Sequence, residues 1–396
     1  MKTTGAICWE PGKGKGWSVE EIEIDEPRHD EVLVKLAASG LCHSDDHIDA
    51  GHYPDDLKPV VGGHEGAGIV LKVGSSVSTL VPGDHVVLTF VPSCGRCESC
   101  VSGRSRLCDL GAITFDGVEI SDGTQRIHAR GQGLGTMCLL GTFSPYVVVH
   151  EASAVKIRDD VPLDKAALVG CGVTTGWHSA VTAGQVGAGE TVVVVGLGGV
   201  GMNSVQGARM AGARRVVAVD LVPWKVELAR RFGATHTATS IQEAETVVRD
   251  LTWGKMAEKV ILTVGVLHGD LLEPAMKLLG KGGSLIETAV ADIHQTEVTL
   301  DLFSLNVYEK KIIGTLYGSA NARTAIPQLL DYYMSGELKL DELVTRTYSL
   351  EQINEAYQDM RDGKLIRGVV VYDLDAPDPE GTWTAQDQVP QLASRT

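Results

Sequence analysis

Thr191-Val192-Val193-Val194-Val195 runs directly into Gly196-Leu197-Gly198-Gly199-Val200-Gly201, and this junction decides the fold. Five β-branched residues in a row read as a buried strand. The glycines that follow have the spacing GxGxxG. In a chain with 46 glycines that spacing alone is weak, but here it lies between a strand and a helical pattern over 200–211. Gly196 permits the tight turn, Gly198 lets backbone approach a pyrophosphate, and Gly201 lets helix and strand pack closely. Gly199 and Val200 open the helix, whose N-terminus offers free N–H groups and a positive dipole end. Residues 215–220 read as the next strand, closing on Asp220. A carboxylate there would accept hydrogen bonds from an adenosine ribose and repel a 2′-phosphate, so NAD is expected over NADP.

Working outward, strand patterns recur at 259–264, 283–288 and 311–316, with helical patterns at 225–232 and 270–279 between them. This alternation predicts a doubly wound parallel sheet covered by helices. Residues before about 172 read instead as short strands and turns, with 31–36 alternating in and out and apolar runs at 66–70 and 85–89. After 317 come helical patterns at 325–335 and 350–362 and a strand at 368–372. This segment is too short to stand alone, so it is assigned back to the first region. The expected organisation is a mostly-β domain at 1–172, a nucleotide-binding domain at 173–316, the return of the first domain at 317–372, and a polar tail at 373–396 expected to be a mobile arm.

The formal net charge of −16 leaves no basic face for nucleic acid or an anionic membrane. No apolar run is long enough to span a bilayer, and residues 1–17 carry no secretory h-region, so a cytoplasmic, reducing setting is expected. The eight cysteines then favour metal or catalytic roles over disulfides. Cys94, Cys97, Cys100 and Cys108 lie close enough in sequence to wrap one tetrahedral zinc, with Pro92, Gly95 and Gly103 suiting a tight loop. Four thiolates close the coordination sphere, so this zinc lobe (90–110) would be structural. An iron–sulfur cluster is the competing reading, and a DNA-binding zinc ribbon is disfavoured by the acidic balance.

Cys42-His43-Ser44-Asp45, Gly62-Gly63-His64-Glu65-Gly66, the four-cysteine lobe, Cys171-Gly172 and the glycine loop occur in the order seen in zinc-dependent medium-chain alcohol dehydrogenases, which the chain resembles from about residue 5 to 372. Within that family, residues 126–131, 137–144 and 317–321 most resemble the actinobacterial nicotinoprotein type, assayed with N,N-dimethyl-4-nitrosoaniline as electron acceptor. The resemblance implies a Rossmann domain inserted in a GroES-like catalytic domain. It also implies a second, catalytic zinc on Cys42, His64 and Cys171. Two thiolates and one imidazole leave a fourth position open, which suits Lewis-acid activation of an alcohol. Taken singly, each of these residues reads equally well as an ordinary core side chain.

By the same resemblance, Asp45 orients the ligating His64, and Glu65 sits behind the zinc, where a loop salt bridge is the alternative. Ser44 takes the alcohol's proton, and His47 is the outer base, reached through the cofactor ribose. Nearby His52 reads as a surface histidine. For the cofactor, Lys225 is placed beside the adenosine ribose, Arg367 on the pyrophosphate and Thr175 behind the nicotinamide. His43 stands where related enzymes often carry Arg, which weakens the grip on pyrophosphate. Phe90 is a pocket-lining aromatic or plain core.

The expected reaction is hydride transfer between primary or aromatic alcohols or aldehydes and NAD. The NAD would stay bound and be reoxidised by an external acceptor of the mycofactocin kind. Homodimers or homotetramers joined through the nucleotide-domain sheets follow from family habit. Two alternatives remain open. One is a thiol-dependent formaldehyde dehydrogenase, with Arg126 or Arg130 anchoring the thiol's carboxylate. The other is a non-catalytic nucleotide-binding scaffold. The glycine-rich segment 111–135 is expected to be a loop over the pocket mouth or a subunit interface.

Overall fold

The computed structural model describes residues 1–54 and 59–379. The decisive stretch forms the centre of a six-stranded parallel sheet. Its strands are β1 (Thr191–Val195), β2 (Arg215–Val219), β3 (His236–Ala238), β4 (Ala257–Leu262), β5 (Leu279–Glu287) and β6 (Lys311–Gly314). The order is β3-β2-β1-β4-β5-β6, so β1 is flanked on both edges, with Val193 opposite Val217 and Val260. All three valines are fully buried, as a parallel sheet covered on both faces requires. The strand order reverses between β1 and β4, and a ligand crevice opens at the carboxyl ends there.

Three helices position the site: α1 (His43–Ala50), α2 (Gly172–His178) and α3 (Gly199–Met210). α2 and α3 pack backbone to backbone. A Cβ on Gly176 would overlap the Val200 carbonyl, and one on Gly207 would overlap the Trp177 backbone. Glycines at these contacts let the helix bearing Cys171 rest directly on the helix that opens the glycine loop.

The other half holds a closed barrel and a seven-stranded sheet. In that sheet Glu31–Gly40 pairs with Gly66–Val73 on one side. On its other side it pairs with Tyr146–His150 and then with Arg367–Val371, the strand that brings the chain's end back. The expected in–out alternation at 31–36 does not hold, because with neighbours on both edges and packing on both faces all six residues are buried. The strand β3 and the helix Ile241–Leu251 are additional to the predicted set. The helix predicted over 270–279 is shorter, Leu272–Lys277, because β5 already begins at Leu279.

Two further expectations change. Segment 111–135 is not one loop. Its first residues line the cleft, but Ile127–Ala129 and Gln132–Thr136 are barrel strands. The start of the tail is docked rather than mobile. Lys35 Nζ donates to the Ala376 carbonyl at 2.7 Å and lies 2.8 Å from Asp378, whose carboxylate also accepts from Tyr146 Oη at 2.8 Å. Residues 380–396, the rest of that expectation, lie outside the described residues.

Candidate active site

Cys94 Sγ lies 3.9 Å from Cys100 Sγ, and Cys97 Sγ lies 3.8 Å from Cys108 Sγ. All four sulfurs are within 4.8 Å of one another. A tetrahedron with Zn–S arms of about 2.3 Å has edges of about 3.8 Å, so this donor set fits zinc. Backbone amides support the thiolates: Arg96 N and Cys97 N donate to Cys94 Sγ at 3.5 and 3.3 Å. Burial opposes the thiolate at Cys94, but those amides, together with the side chains of Cys108 and Cys97, outweigh it and bring its pKa down to about 6. Asn321 ties the lobe to the body of the protein. Its Oδ1 accepts from Ser105 N and Oγ, both at 3.0 Å, and its Nδ2 donates to Gly103 O.

Ligand atoms of Cys42, His64, Glu65 and Cys171 also gather within 4.8 Å. Cys42 immediately precedes α1 and Cys171 immediately precedes α2, so two helix starts aim the two sulfurs at one point. Cys171 donates toward Cys42 and holds that thiolate well below the usual cysteine range. The same contact, with burial, pushes Cys171 up. A half-buried and a buried sulfur competing for one proton, with an imidazole beside them, form a donor set that fits a divalent cation. Asp45 Oδ2 approaches His64 Nδ1 to 3.1 Å, an ion-pair contact rather than an aligned hydrogen bond. Its Oδ1 accepts from Gly63 N at 2.8 Å, which fixes the carboxylate.

Glu65 is fully buried, pairs with Arg367, and accepts from Gly172 N at 3.2 Å. Both readings of Glu65 are therefore realised, the salt bridge and the place beside the ligand set. Burial pushes Glu65 up to about 7 against the pull of Arg367. Burial also works against the charge on Arg367, but Glu65 and the sulfurs of Cys42 and Cys171 outweigh it. The Arg367 side chain continues to Gly199, where a Cβ would overlap its Cδ, and its Nε is buried without a partner. A guanidinium held at the start of α3 is suited to an anion.

A cleft of about 1040 Å³ joins these groups. Ser44, Phe90, Tyr53, Phe115, Cys138 and Tyr317 line the cleft together with Cys42, His64 and Cys171. Ser44 Oγ is 3.6 Å from Cys42 Sγ. Phe90 stands edge-on to His64 and to Tyr317, with ring centroids 5.7 and 5.4 Å apart. Thr175 lines the cleft with its hydroxyl buried and unpaired.

The cleft then passes the glycine loop. Gly196 has φ +95°, and a Cβ on Gly201 would overlap the Gly196 carbonyl, so this turn needs both glycines. His43 rims the cleft against Gly265 and is solvent-exposed on that open side, although atoms crowd it elsewhere. At the far end Asp220 and Lys225 line the wall. The Asp220 oxygens accept from Leu197 N at 2.7 Å and Val222 N at 2.9 Å, so the carboxylate is locked toward the glycine loop.

Comparison with known proteins agrees with this geometry. Residues 28–159 match the alcohol dehydrogenase GroES-like domain, and residues 199–333 match the zinc-binding dehydrogenase family. Alcohol dehydrogenase B of Mycobacterium tuberculosis is 52% identical over 372 residues, 94% of this chain and 99% of that protein. The chain belongs to the zinc-dependent medium-chain alcohol dehydrogenases. The NDMA-dependent alcohol dehydrogenase of Amycolatopsis methanolica is 49% identical over 95% of this chain and 100% of its own length. The crystal structure of benzyl alcohol dehydrogenase from Acinetobacter calcoaceticus superposes with a TM-score of 0.86 at 30% identity, over 94% of this chain and 100% of that one. The enzyme is thus an oxidoreductase that uses zinc and a nicotinamide cofactor.

In this dehydrogenase the anchors of the thiol-dependent alternative fail. Arg126 is fully buried and makes a two-pronged pair with Glu31, at 2.9 and 2.8 Å. Arg130 lies across Trp9 at 4.2 Å and is paired with Glu20. Neither faces the cleft. Tyr53, Phe115 and Cys138 are pocket residues that spacing could not reveal, since they come from separate loops. Cys138 and Leu139 take left-handed φ of +50° and +66°, unusual for non-glycine residues and a sign of local strain at the pocket wall. His52, expected at the surface, is half-buried and also meets His47.

Proposed function

We propose that this dehydrogenase oxidises primary or aromatic alcohols with a retained NAD, which a second, mycofactocin-like acceptor then reoxidises in place. The observation that carries the substrate class is the aromatic lining of the cleft that holds Cys42, His64 and Cys171, with Phe90 against His64 and Tyr317, and with Tyr53 and Phe115 also lining it. The relatives named for NDMA dependence and for benzyl alcohol support the same reading. It uses a nucleotide lobe at 173–316 inserted in a catalytic lobe at 1–172 and 317–372, with one catalytic and one structural zinc per chain.

When bound, the zinc supplies Lewis acidity and the nicotinamide a hydride acceptor. The chain's own residues do the rest. Cys42, His64 and Cys171 hold the metal, with Asp45 orienting the imidazole. Ser44 Oγ accepts the substrate's proton, and His47 Nε2, facing the cleft beside Gly265 O at 3.0 Å, is the base beyond it. Arg367 and the start of α3 hold the pyrophosphate, with His43 as a weaker contact. Asp220 and Lys225 hold the adenosine ribose, and Asp220 selects NAD. Thr175 backs the nicotinamide. The complete set of metal and relay residues argues against an inert scaffold.

Self-association through the nucleotide lobe follows from its open edge. β6 ends the sheet, and the adjoining helix Leu302–Val307 exposes Leu302 and Phe303. A dimer or tetramer in the cytoplasm is the proposed state. Among the described residues no helix is long and apolar enough to cross a membrane.

The test is to desalt the purified enzyme, denature it, and quantify NAD(H) and zinc per chain. Near-stoichiometric dinucleotide with two zincs supports a retained cofactor. Two zincs without dinucleotide would mean ordinary exchangeable NAD and would defeat the retained-cofactor reading.

A further inference from the structure

We propose that His52 is a positioning and proton-carrying residue of the catalytic path, passing protons between His47 and solvent; this rests on the reading of Ser44 and His47 as the start of that path. His47 is only 2% exposed, so a proton arriving there has no direct exit to water. Its Nε2 faces the cleft beside Gly265 O, and its Nδ1 lies 3.3 Å from His52 Nδ1. Two bare ring nitrogens would repel at that distance, and because the Gly265 carbonyl can only accept from His47 Nε2–H, His52 Nδ1–H is the donor and His47 Nδ1 the acceptor. The ring centroids are 4.9 Å apart and the planes cross at 78°.

The backbone builds this contact. Gly51, with φ +82°, ends α1, and His52 N donates back to His47 O at 3.0 Å, folding the second ring over the first. From the other lobe Ile293 N donates to His52 O at 3.1 Å. Both ties are made by backbone, so they fix where the ring stands whatever the side chain does. His52 is half-buried and lies outside the cleft lining, so its free edge can face water.

Among the described residues, the charged groups of the adjoining elements are engaged elsewhere. On α1, Asp46 accepts from Arg361 and Asp49 from Gly16 N, at 2.6 and 2.9 Å. On the turn that meets His52, Asp292 accepts from His294 N at 2.9 Å. Tyr53 lies on the opposite side of His47, its ring 5.9 Å away. Burial holds His47 below the usual histidine range, so it hands a proton on rather than storing it.

The step balances as one proton in and one out, with no electrons moved. His47 takes a proton at Nε2 and releases the one on Nδ1 to His52 Nδ1, while His52 releases its Nε2 proton to water. The transfer ends in the tautomer pair seen here, with His47 Nε2–H on Gly265 O and His52 Nδ1–H on His47 Nδ1; exchange of the two outer ring protons with water, at the cleft and at the free edge of His52, restores the starting pair before the next turnover.

The test uses the holoenzyme, with zinc and NAD(H) content measured first, and compares His52→Gln, His52→Ala and His47→Gln. For alcohol oxidation, His52→Gln is expected to lower kcat about tenfold near neutral pH, short of the ~10²–10⁴ of a full general base because water replaces it in part. KM stays unchanged, the acid limb of the kcat profile moves to higher pH, and added imidazole restores His52→Ala. A shifted profile in His47→Gln with an unshifted one in both His52 variants would overturn this proposal alone. Unshifted profiles in all three would overturn the reading of His47 and this proposal with it. A fall in kcat with neither a profile shift nor imidazole rescue would make His52 structural and would also overturn it.

Discussion

The four sulfurs of the lobe come from one loop, Cys94 to Cys108, whereas Cys42, His64 and Cys171 arrive from three separate segments. The first cluster needs little beyond its own turns. Its amide donors come from Arg96, Cys97 and Cys94 itself, all within the loop. The second cluster exists only after α1, the 62–66 turn and α2 have packed, and a buried Glu65–Arg367 pair backs it. A closed site can be local because it has only to hold its metal. A site that keeps a coordination position open for chemistry needs walls, an orienting carboxylate and a cofactor cleft, and these come from distant parts of the chain.

The sharpest way to break the comparison is to remove one sulfur from each cluster. Cys42→Ser is expected to cut turnover on the order of 10³-fold or more, since Lewis-acid activation is worth several kcal/mol. It should remove one zinc per chain and leave the lobe zinc and the bound cofactor in place. Cys97→Ser should do the converse, losing the lobe zinc and several kcal/mol of stability, because metal binding at such sites is folding energy. Metal analysis, steady-state kinetics and urea titration of the two variants separate these outcomes. If Cys42→Ser also empties the lobe, the two sites are not independent.

The same contrast explains what could be read from sequence. The lobe was legible because its ligand spacing is its geometry. The glycine loop was legible because a strand, three glycines and a helix are contiguous, and β1 has the predicted bounds. The catalytic set was legible only through family resemblance, because no local pattern joins residue 42 to 171. Glu65 and Arg367 were each identified, but not that they pair, since the contact spans nearly the whole chain. The pocket residues Tyr53, Phe115 and Cys138 carried no signal. The helix Ile241–Leu251 did carry one: Ser240 caps Glu243 N at 3.1 Å, a Ser-x-x-Glu start that apolar periodicity alone does not mark.

A second test acts on the assembled site alone. Arg367→Ala leaves Glu65 buried without its partner. Breaking such a pair costs about 3–5 kcal/mol, more than the pair itself contributes over an apolar replacement. Urea midpoints should fall accordingly, cofactor retention should weaken, and the lobe zinc should persist. An unchanged midpoint would mean that Glu65 simply takes up a proton at little cost.

The smallest expected effect concerns α2, the helix that carries Cys171 at its start and His178 at its end. His178 is 7% exposed, donates to or accepts from Thr182 Oγ1 at 2.7 Å, and has a buried Nε2 without a partner. Burial lowers its pKa to about 4, against 6.5 for the free side chain. Between those values the unfolded chain binds a proton that the folded chain refuses, so protonation favours unfolding. Stability is therefore full above about pH 6.5 and falls as pH drops toward 4, by up to 1.4 kcal/mol per unit and about 3 kcal/mol in all. His178→Gln keeps a group able to bond Thr182 but removes the titration. Its stability should fall less steeply with acid than that of the parent, by about that difference, in urea titrations at matched pH values. The lobe lies off this helix, so its zinc content should follow the same acid curve in both proteins. If the two stability curves run parallel, acid weakens the enzyme through its thiolates and carboxylates, and α2 is not the element that loosens the assembled site first.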